Sequence, residues 1–310
     1  MPSDMPSDLP SDVEGLAWEP GADSSNLTRP VLVVALGGWF DAAGTATQAV
    51  DWLLQRRPAV PVARLDSECF VDLRSHRPMV RLDEVGDRVI EWPDVTANAI
   101  RTGGTHDLVI VRGNEPDYRW RTFVDGIVAI ASMTRAELVV TLGATPAEAP
   151  HTRPQLLTTS ASSPRIARQL GLALPTYQGI TGVIGVLQER LGRIDLPGIS
   201  VRVGIPPYLG KGPNPGGAHA LLARLGELLD IDTHSRALDN DVKDWITGLQ
   251  AVMEDDPQAR ATVEHFERRF EQLSEASVDP DRLVRDLERY LREGGDGGAA
   301  GGPDGKPGNP

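Results

Sequence analysis

The sequence predicts a layered α/β domain with a mixed sheet, and two segments carry that prediction. The first is the apolar run Val31 to Leu36, which stops at Gly37 and Gly38 and is followed by a helical pattern that ends before Pro58. The second segment, residues 108–142, has the pattern of a strand, a polar loop, a helix and another strand, in that order. Because strands and helices alternate in both segments, they are typical of βαβ units in a layered α/β domain.

The remaining strands are less regular. The alternation of apolar residues from Met79 to Trp92 predicts a β-hairpin with its turn near Gly86, so the sheet is expected to be mixed. Thr96 to Thr102 is short and turn-prone, and Val13 to Trp18 either adds an edge strand or packs loosely. Further strands are predicted at Val60–Leu65, Cys69–Leu73, Leu108–Val111, Leu138–Leu142 and Val201–Ile205.

Composition excludes several classes of function. The chain has 310 residues and a formal charge of -13, which argues against the nucleic-acid backbone as the main partner because phosphate binding needs a basic face. The single cysteine, Cys69, excludes an internal disulfide and a cysteine-based zinc cluster. No signal peptide is apparent, and no apolar run reaches the roughly 20 residues of a membrane span. We therefore expect a cytoplasmic protein without a membrane partner.

Composition also divides the chain into four parts. Residues 1–12 repeat Pro-Ser-Asp and residues 294–310 are rich in glycine and proline, so both are expected to be disordered tails. Between them we expect an α/β domain over residues 13–234 and a helical region over residues 235–293. Three amphipathic helices are predicted in that region, with start signals at Ser235, Asp256-Pro257 and Asp279-Pro280. Their apolar faces are expected to pack on the α/β domain, although they could also present a groove to another protein.

Candidate ligand-binding residues follow the predicted central strands. Ligands of open α/β sheets gather at the carboxyl ends of the strands, where the glycine turn and two charged loops are expected to meet. An imidazole and guanidinium groups at this edge are suited to an anion such as phosphate. The candidates for this cleft are Gly37, Gly38, Arg112, Glu115, His151 and Arg153.

A structural role for the same charged residues is the favoured interpretation. Glu115 would pair with Arg112 or with Arg153 and thereby fix the loops, while His151 would be hydrogen-bonded to the backbone. Asp41 is likewise predicted to cap the helix that follows it rather than to act in catalysis.

Familiar catalytic motifs are missing. The sequence has no GxSxG elbow and no HExxH pair, and the glycines of GGWFDAAGT lack both the lysine of a Walker loop and the GxGxxG spacing. No catalytic residue is assigned, and neither a metal site nor a cofactor is expected.

Six motifs in one order carry a family resemblance: VLVVALGGWFDAAG, FVDLRSHRP, GNEPDYRW, LGATPAEAPHTRP, YQGITGVIGVL and PPYLGKGPNPGGAHALL. Over roughly residues 13 to 290 the chain resembles the actinobacterial branch of the proteasome-assembly-chaperone-2 family. The resemblance implies a three-layer α/β/α fold of the phosphorylase/hydrolase type, similar to purine nucleoside phosphorylase, with C-terminal helices. It also implies a homo-oligomer, often a trimer, and for eukaryotic relatives a chaperone role in pairing proteasome subunits.

Two functions follow as expectations. The leading one is a protein-binding assembly scaffold without catalysis, whose partners are copies of itself and another protein. The alternative is an enzyme or sensor that binds a nucleoside-like or phosphate-like ligand in the strand-end cleft; fold alone supports it weakly, because such folds host many chemistries.

Overall fold

A computed structural model describes residues 12–20, 26–172, 177–210 and 212–274, together with residues 287 and 289. The strands in these ranges are β1 Leu16–Trp18, β2 Val31–Gly37, β3 Ala59–Leu65, β4 Met79–Leu82, β5 Arg88–Glu91, β6 Val95–Ile100, β7 Leu108–Asn114, β8 Leu138–Pro146, β9 Leu157–Ala161 and β10 Gly198–Ile205. The helices are α1 Thr45–Arg56, α2 Ser67–Phe70, α3 Trp120–Met133, α4 Pro164–Gln169, α5 Val183–Arg193, α6 Pro215–Leu229, α7 Asp239–Glu254 and α8 Pro257–Ser274.

Eight of these strands form one mixed sheet in the order β1-β3-β6-β7-β2-β8-β10-β9. The four central strands, β7, β2, β8 and β10, run parallel to one another, and every other pair in the sheet is antiparallel. This arrangement confirms the predicted mixed sheet. It also brings the ends of β2, β7, β8 and β10 to the same edge.

Helices cover both faces of the sheet, which gives three layers. Alternate residues of β2 enter two separate cores, because successive side chains of a strand point to opposite faces. Val31, Val33 and Ala35 pack with α1, α4 and α6. Leu32, Val34 and Leu36 pack with α3 and α5. The predicted α/β/α layering is therefore confirmed, and the run Val31–Leu36 is apolar throughout because helices cover it on both sides.

Two predictions for the middle of the chain are wrong. Cys69–Leu73 is not a strand: Ser67–Phe70 forms the short helix α2, whose first turn is capped by the Asp66 carboxylate accepting from the Glu68 amide at 3.0 Å. Thr96–Thr102 is not a turn, because β6 pairs with β3 on one side and β7 on the other. Strand pairing on both edges here outweighs the weak strand propensity of its alanines and asparagine.

The hairpin predicted around Gly86 is confirmed by β4 and β5. For Val13–Trp18, where an edge strand and loose packing were both open, Leu16–Trp18 forms an edge strand that pairs with β3. The hairpin is a separate two-stranded sheet. Strand β9, in a stretch rich in serine and threonine, was not predicted.

The helical region is attached by half-buried contacts. The helices α7 and α8 confirm the first two of the three predicted helices. No residue of α7 is fully buried, and Phe266 is the buried residue of α8 among the side chains described there. The third predicted helix lies outside the described residues except for Leu287 and Arg289, of which Leu287 is buried in the core cluster that contains α6.

The predicted tails lie outside the described residues, apart from Asp12. The division into domains at residue 235 stays a prediction. Within the described ranges, none of the helices combines the length and apolar character needed to cross a membrane.

Candidate functional site

The turn after β2 is built around Glu115. In the register of β2 with β7, Gly37 lies opposite Asn114, and the Glu115 backbone N–H donates to the Gly37 carbonyl at 2.8 Å. The Glu115 carboxylate in turn accepts from the Trp39 backbone N–H at 2.8 Å. Gly38 has a φ of +137°, and a Cβ atom there would lie 2.6 Å from the Glu115 side chain. Gly38 therefore makes room for the Glu115 carboxylate, and Gly37 makes room for the Asn114 side chain, since a Cβ there would lie 2.7 Å from Asn114 Oδ1.

Asp41 fixes the start of α1. Its buried carboxylate accepts from the Ala46 N–H and the Thr47 hydroxyl, both at 2.6 Å. Burial raises the pKa of Asp41, and the hydrogen bonds from Thr47 and Ala46 oppose that rise. The predicted capping role is confirmed.

Exposed apolar side chains lie in this turn and in the segment 177–182, which reaches Glu115 at Gly182. Trp39, Tyr177 and Ile180, which we call the strand-end patch, are 71 to 79 % exposed. The Tyr177 hydroxyl donates to the Ile180 carbonyl at 2.8 Å, and a Cβ on Gly182 would lie 3.8 Å from Glu115 Oε2. The motifs GGWF, GNEP and YQGITG, which are far apart in the sequence, thus lie around one carboxylate.

Arg112 belongs to a different group of contacts. It lies within β7 rather than in the loop after it, and its guanidinium donates to both carboxylate oxygens of Asp51 on α1, at 2.8 and 2.9 Å. The predicted pairing of Arg112 with Glu115 is therefore wrong. Asp51 could not have been identified from the sequence, because it belongs to no recognisable motif and is one of 44 acidic residues.

His151 is buried beneath α7. Its side chain is 2 % exposed, its Nδ1 is hydrogen-bonded to the Tyr208 hydroxyl at 2.8 Å, and its ring centroid lies 6.4 Å from that of Trp245. The predicted hydrogen bond from the imidazole to the backbone is therefore wrong. Nε2 is buried and has no hydrogen-bond partner among the described residues. Burial lowers the pKa of His151, and the charge of Glu267 opposes that effect.

Arg153 connects the loop after β8 to α8. It donates to Glu267 at 2.9 Å and to Glu271 at 3.1 Å, while the Thr152 hydroxyl donates to Glu267 at 2.5 Å. The predicted pairing of Arg153 with Glu115 is wrong. A cleft of about 130 Å³ lies between this loop and the two C-terminal helices, lined in part by His151 and Thr152.

The six predicted residues thus lie in three groups of contacts. Gly37, Gly38 and Glu115 form one group, Arg112 joins Asp51, and His151 and Arg153 contact α7 and α8. A groove of about 720 Å³ between α3 and α5 is lined by none of the six. In the described part of the chain, acidic, histidine and cysteine side chains form no cluster suited to a metal ion. Ligand binding by the six residues stays a prediction.

Comparison with known proteins identifies the family. A model of the PAC2 family matches residues 35–253. Among solved structures, a PAC2 family protein from Streptomyces avermitilis is 37 % identical with a TM-score of 0.70, over 76 % of this chain and 99 % of its own. The proteasome-assembly chaperone homologue of Mycobacterium tuberculosis is 33 % identical with a TM-score of 0.67, over 75 % of this chain and 99 % of its own.

More distant structures share the fold. An archaeal proteasome activator from Pyrococcus furiosus is 16 % identical with a TM-score of 0.58, over 76 % of this chain and 97 % of its own. No curated protein matches the chain significantly. Because the family model covers more than half of the sequence and two structures exceed 30 % identity, the chain belongs to the PAC2 family.

Proposed function

We propose that this protein is a chaperone-like assembly factor that binds proteasome subunits. The observation that carries the proposal is the similarity to the proteasome-assembly chaperone homologue of Mycobacterium tuberculosis, which extends over nearly the whole of that protein. The net charge of -13 is consistent with a protein partner and unfavourable for nucleic acid.

The strand-end patch is the surface we assign to this partner. Aromatic side chains are enriched in the centres of protein interfaces, and Trp39 and Tyr177 are both largely exposed. Their backbone is held in place by the Glu115 contacts and by the Tyr177 to Ile180 hydrogen bond. An exposed aromatic group on a fixed turn loses little conformational freedom on binding, which favours a protein ligand.

Binding to purified proteasome subunits of the source organism tests the proposal. We expect a stable complex with at least one subunit by isothermal titration calorimetry, and at least about tenfold weaker binding for Trp39→Ala. Val252→Ala is the matched control, because Val252 is an equally exposed apolar residue on α7. Absence of binding to every subunit and to assembly intermediates would contradict the function.

The small-molecule alternative stays a prediction, favoured by one observation. His151 lines the cleft beside α7 and α8, and its Nε2 has no partner among the described residues. Against it, Arg112 and Arg153 are already paired with carboxylates of the chain. Thermal-shift measurements with nucleosides, nucleotides and inorganic phosphate test it, since a ligand that binds the folded state raises the unfolding temperature.

A further inference from the structure

The edge strand β9 is open to a further strand. It ends the order of the eight-stranded sheet and pairs, among the described strands, with β10 alone. Its sequence, LTTSA, contains neither a charged residue nor a proline, which are common features that keep an edge strand from pairing with another chain. The strand at the opposite edge, β1, has only three residues and is followed by Pro20. Of the two edges of this sheet, β9 is therefore the one suited to receive another strand.

The register of β9 identifies its unpaired backbone groups. Residues of an antiparallel pair alternate between those that exchange hydrogen bonds with the partner strand and those whose N–H and C=O point away from it. The Ser162 N–H donates to the Gly198 carbonyl at 2.8 Å, and Thr158 belongs to the same alternate set of β9 residues. The N–H and C=O groups of Leu157 and Thr159 therefore point away from β10. They have no backbone partner among the described residues, and both residues are only half-buried.

A guanidinium without a partner lies beside this edge. Arg202 on β10 lies opposite Thr158 of β9 and opposite Gly143 of β8, so the three residues share one face of the sheet. Arg202 is half-buried, and its buried Nε has no hydrogen-bond partner among the described residues. Burial lowers the pKa of Arg202, and no acidic side chain of the described chain opposes that effect.

The other half-buried arginines differ from Arg202 in this respect. Each of them contacts a carboxylate or a backbone carbonyl of the chain: Arg29, Arg57, Arg153, Arg165, Arg190 and Arg224. A half-buried charge is costly unless it is paired, so Arg202 favours an acidic partner from outside the described chain.

An acidic side chain on an added strand is placed to be that partner. Neighbouring strands lie about 4.8 Å apart, so a residue opposite Thr158 on an added strand would lie about 10 Å from Arg202 between Cα atoms, across one short side chain. Two long side chains bridge this distance. On the other side of Arg202, the Phe40 ring fills the space over Gly143. The β9 side is therefore the direction from which a carboxylate can approach.

We propose that β9 binds an extended segment of a protein partner as an antiparallel ninth strand, and that an acidic residue of this segment pairs with Arg202. The two residues that flank the acidic one exchange backbone hydrogen bonds with Leu157 and Thr159, and β-branched side chains suit these positions. Strand β9 of a second copy does not meet this requirement, because LTTSA carries no carboxylate. The added strand does not depend on the proposed proteasome partner, because it uses neither the strand-end patch nor Trp39.

Fluorescence anisotropy with a labelled synthetic peptide tests the charge pairing. The probe is fluorescein-labelled Gly-Ser-Val-Glu-Val-Ser with an amidated C-terminus, titrated with the full chain. We expect saturable binding that weakens at least about tenfold for Arg202→Gln. A peptide with Gln in place of Glu should bind the wild type as weakly, and should bind Arg202→Gln no worse than the parent peptide does, because that pair is already lost. Arg101→Gln, at an exposed arginine just after β6, is the matched control and should bind as the wild type does.

Two N-methylated peptides test the backbone pairing without altering the protein. In the antiparallel strand, the valine N–H groups face β9 and the glutamate N–H faces away. Methylation of the valine nitrogen opposite Thr159 should abolish binding, whereas methylation of the glutamate nitrogen should preserve it.

Three results would overturn the inference: no saturable binding by the wild type, equal binding by Arg202→Gln, or equal effects of the two methyl groups. Trp39→Ala should leave peptide binding unchanged. Loss of proteasome-subunit binding with peptide binding intact would overturn only the proposed function, and the reverse result would overturn only the added strand.

Discussion

The loop after β7 and the loop after β8 leave the same edge of the sheet, but they stabilise different parts of the protein. Glu115, after β7, contacts the backbone of the turn after β2 and so belongs to the centre of the fold. His151 and Arg153, after β8, contact α7 and α8. A change in the first loop should therefore lower the stability of the whole domain, and a change in the second should release the C-terminal helices locally.

The largest effect is expected for Gly38→Ala. The methyl group would overlap the Glu115 side chain, and alanine would hold a φ of +137°, so we expect a loss of about 3 kcal/mol in the free energy of unfolding. Urea denaturation measures this loss. The control is Gly103→Ala, where φ is +73° but nothing lies within 4 Å, and it should cost only about 1 kcal/mol. Equal losses in the two variants would show that packing of the Glu115 side chain against Gly38 does not contribute to the loss.

Asp41→Ala should have the next largest effect. It removes the carboxylate that caps α1 and should cost about 2 kcal/mol. Burial raises the pKa of Asp41 above 3.8, so the folded state holds this proton more tightly than the unfolded chain does. The stability that comes from this difference is complete at low pH and decreases as pH rises through the raised pKa. Asp41→Asn keeps an acceptor and removes this titration. We expect it to cost less than Asp41→Ala at neutral pH, as measured by denaturation at about pH 4 and about pH 7. An asparagine variant with the same pH dependence as wild type would exclude Asp41 as the titrating group.

Arg153→Ala should act locally. Its ion pairs with Glu267 and Glu271 are partly exposed, so the expected loss is at most about 1 kcal/mol. Hydrogen exchange should become faster in α8, while the sheet keeps its protection. Arg193→Ala removes a more exposed ion pair, with Glu189 on α5, and should leave α8 unchanged. Faster hydrogen exchange across the whole sheet in Arg153→Ala would show that the loop after β8 stabilises the whole domain, as the loop after β7 does.

The smallest effect is expected from the titration of His151. Burial lowers its pKa below the ordinary 6.5, so the folded state binds a proton less readily than the unfolded chain does. The stability contributed by neutral His151 is complete above pH 6.5 and decreases as pH falls toward the lowered pKa. His151→Gln should reduce the fall in unfolding temperature between about pH 7.5 and about pH 5.5. His265→Gln, an exposed histidine on α8, serves as the control. If the unfolding temperature of His151→Gln falls over this pH range as much as that of the wild type, groups other than His151 cause the pH dependence.

At the predicted cleft, the difference between prediction and structure arises from the direction in which the side chains point. The prediction placed Arg112, Glu115, His151 and Arg153 in one cleft because their strands end at one edge. The shared edge of β7 and β8 is correct, but a side chain within a strand points to one face only. Arg112 therefore faces α1 and Asp51, whereas the carboxylate of Glu115 lies at the turn after β2.

Sequence alone determined the features that repeat locally. The apolar run of β2, the hairpin around Gly86 and the amphipathic faces of α7 and α8 are periodic patterns, and the motif order identified the family. Tertiary structure decided the strand β6, whose weak propensity is overridden by pairing on both edges. It also selected the ionic partners: Arg112 and Asp51 are 61 residues apart, and Arg153 and Glu267 are 114 apart. Such pairs leave no periodic signal, because any of the 44 acidic residues satisfies an arginine equally well until the fold brings one of them within reach.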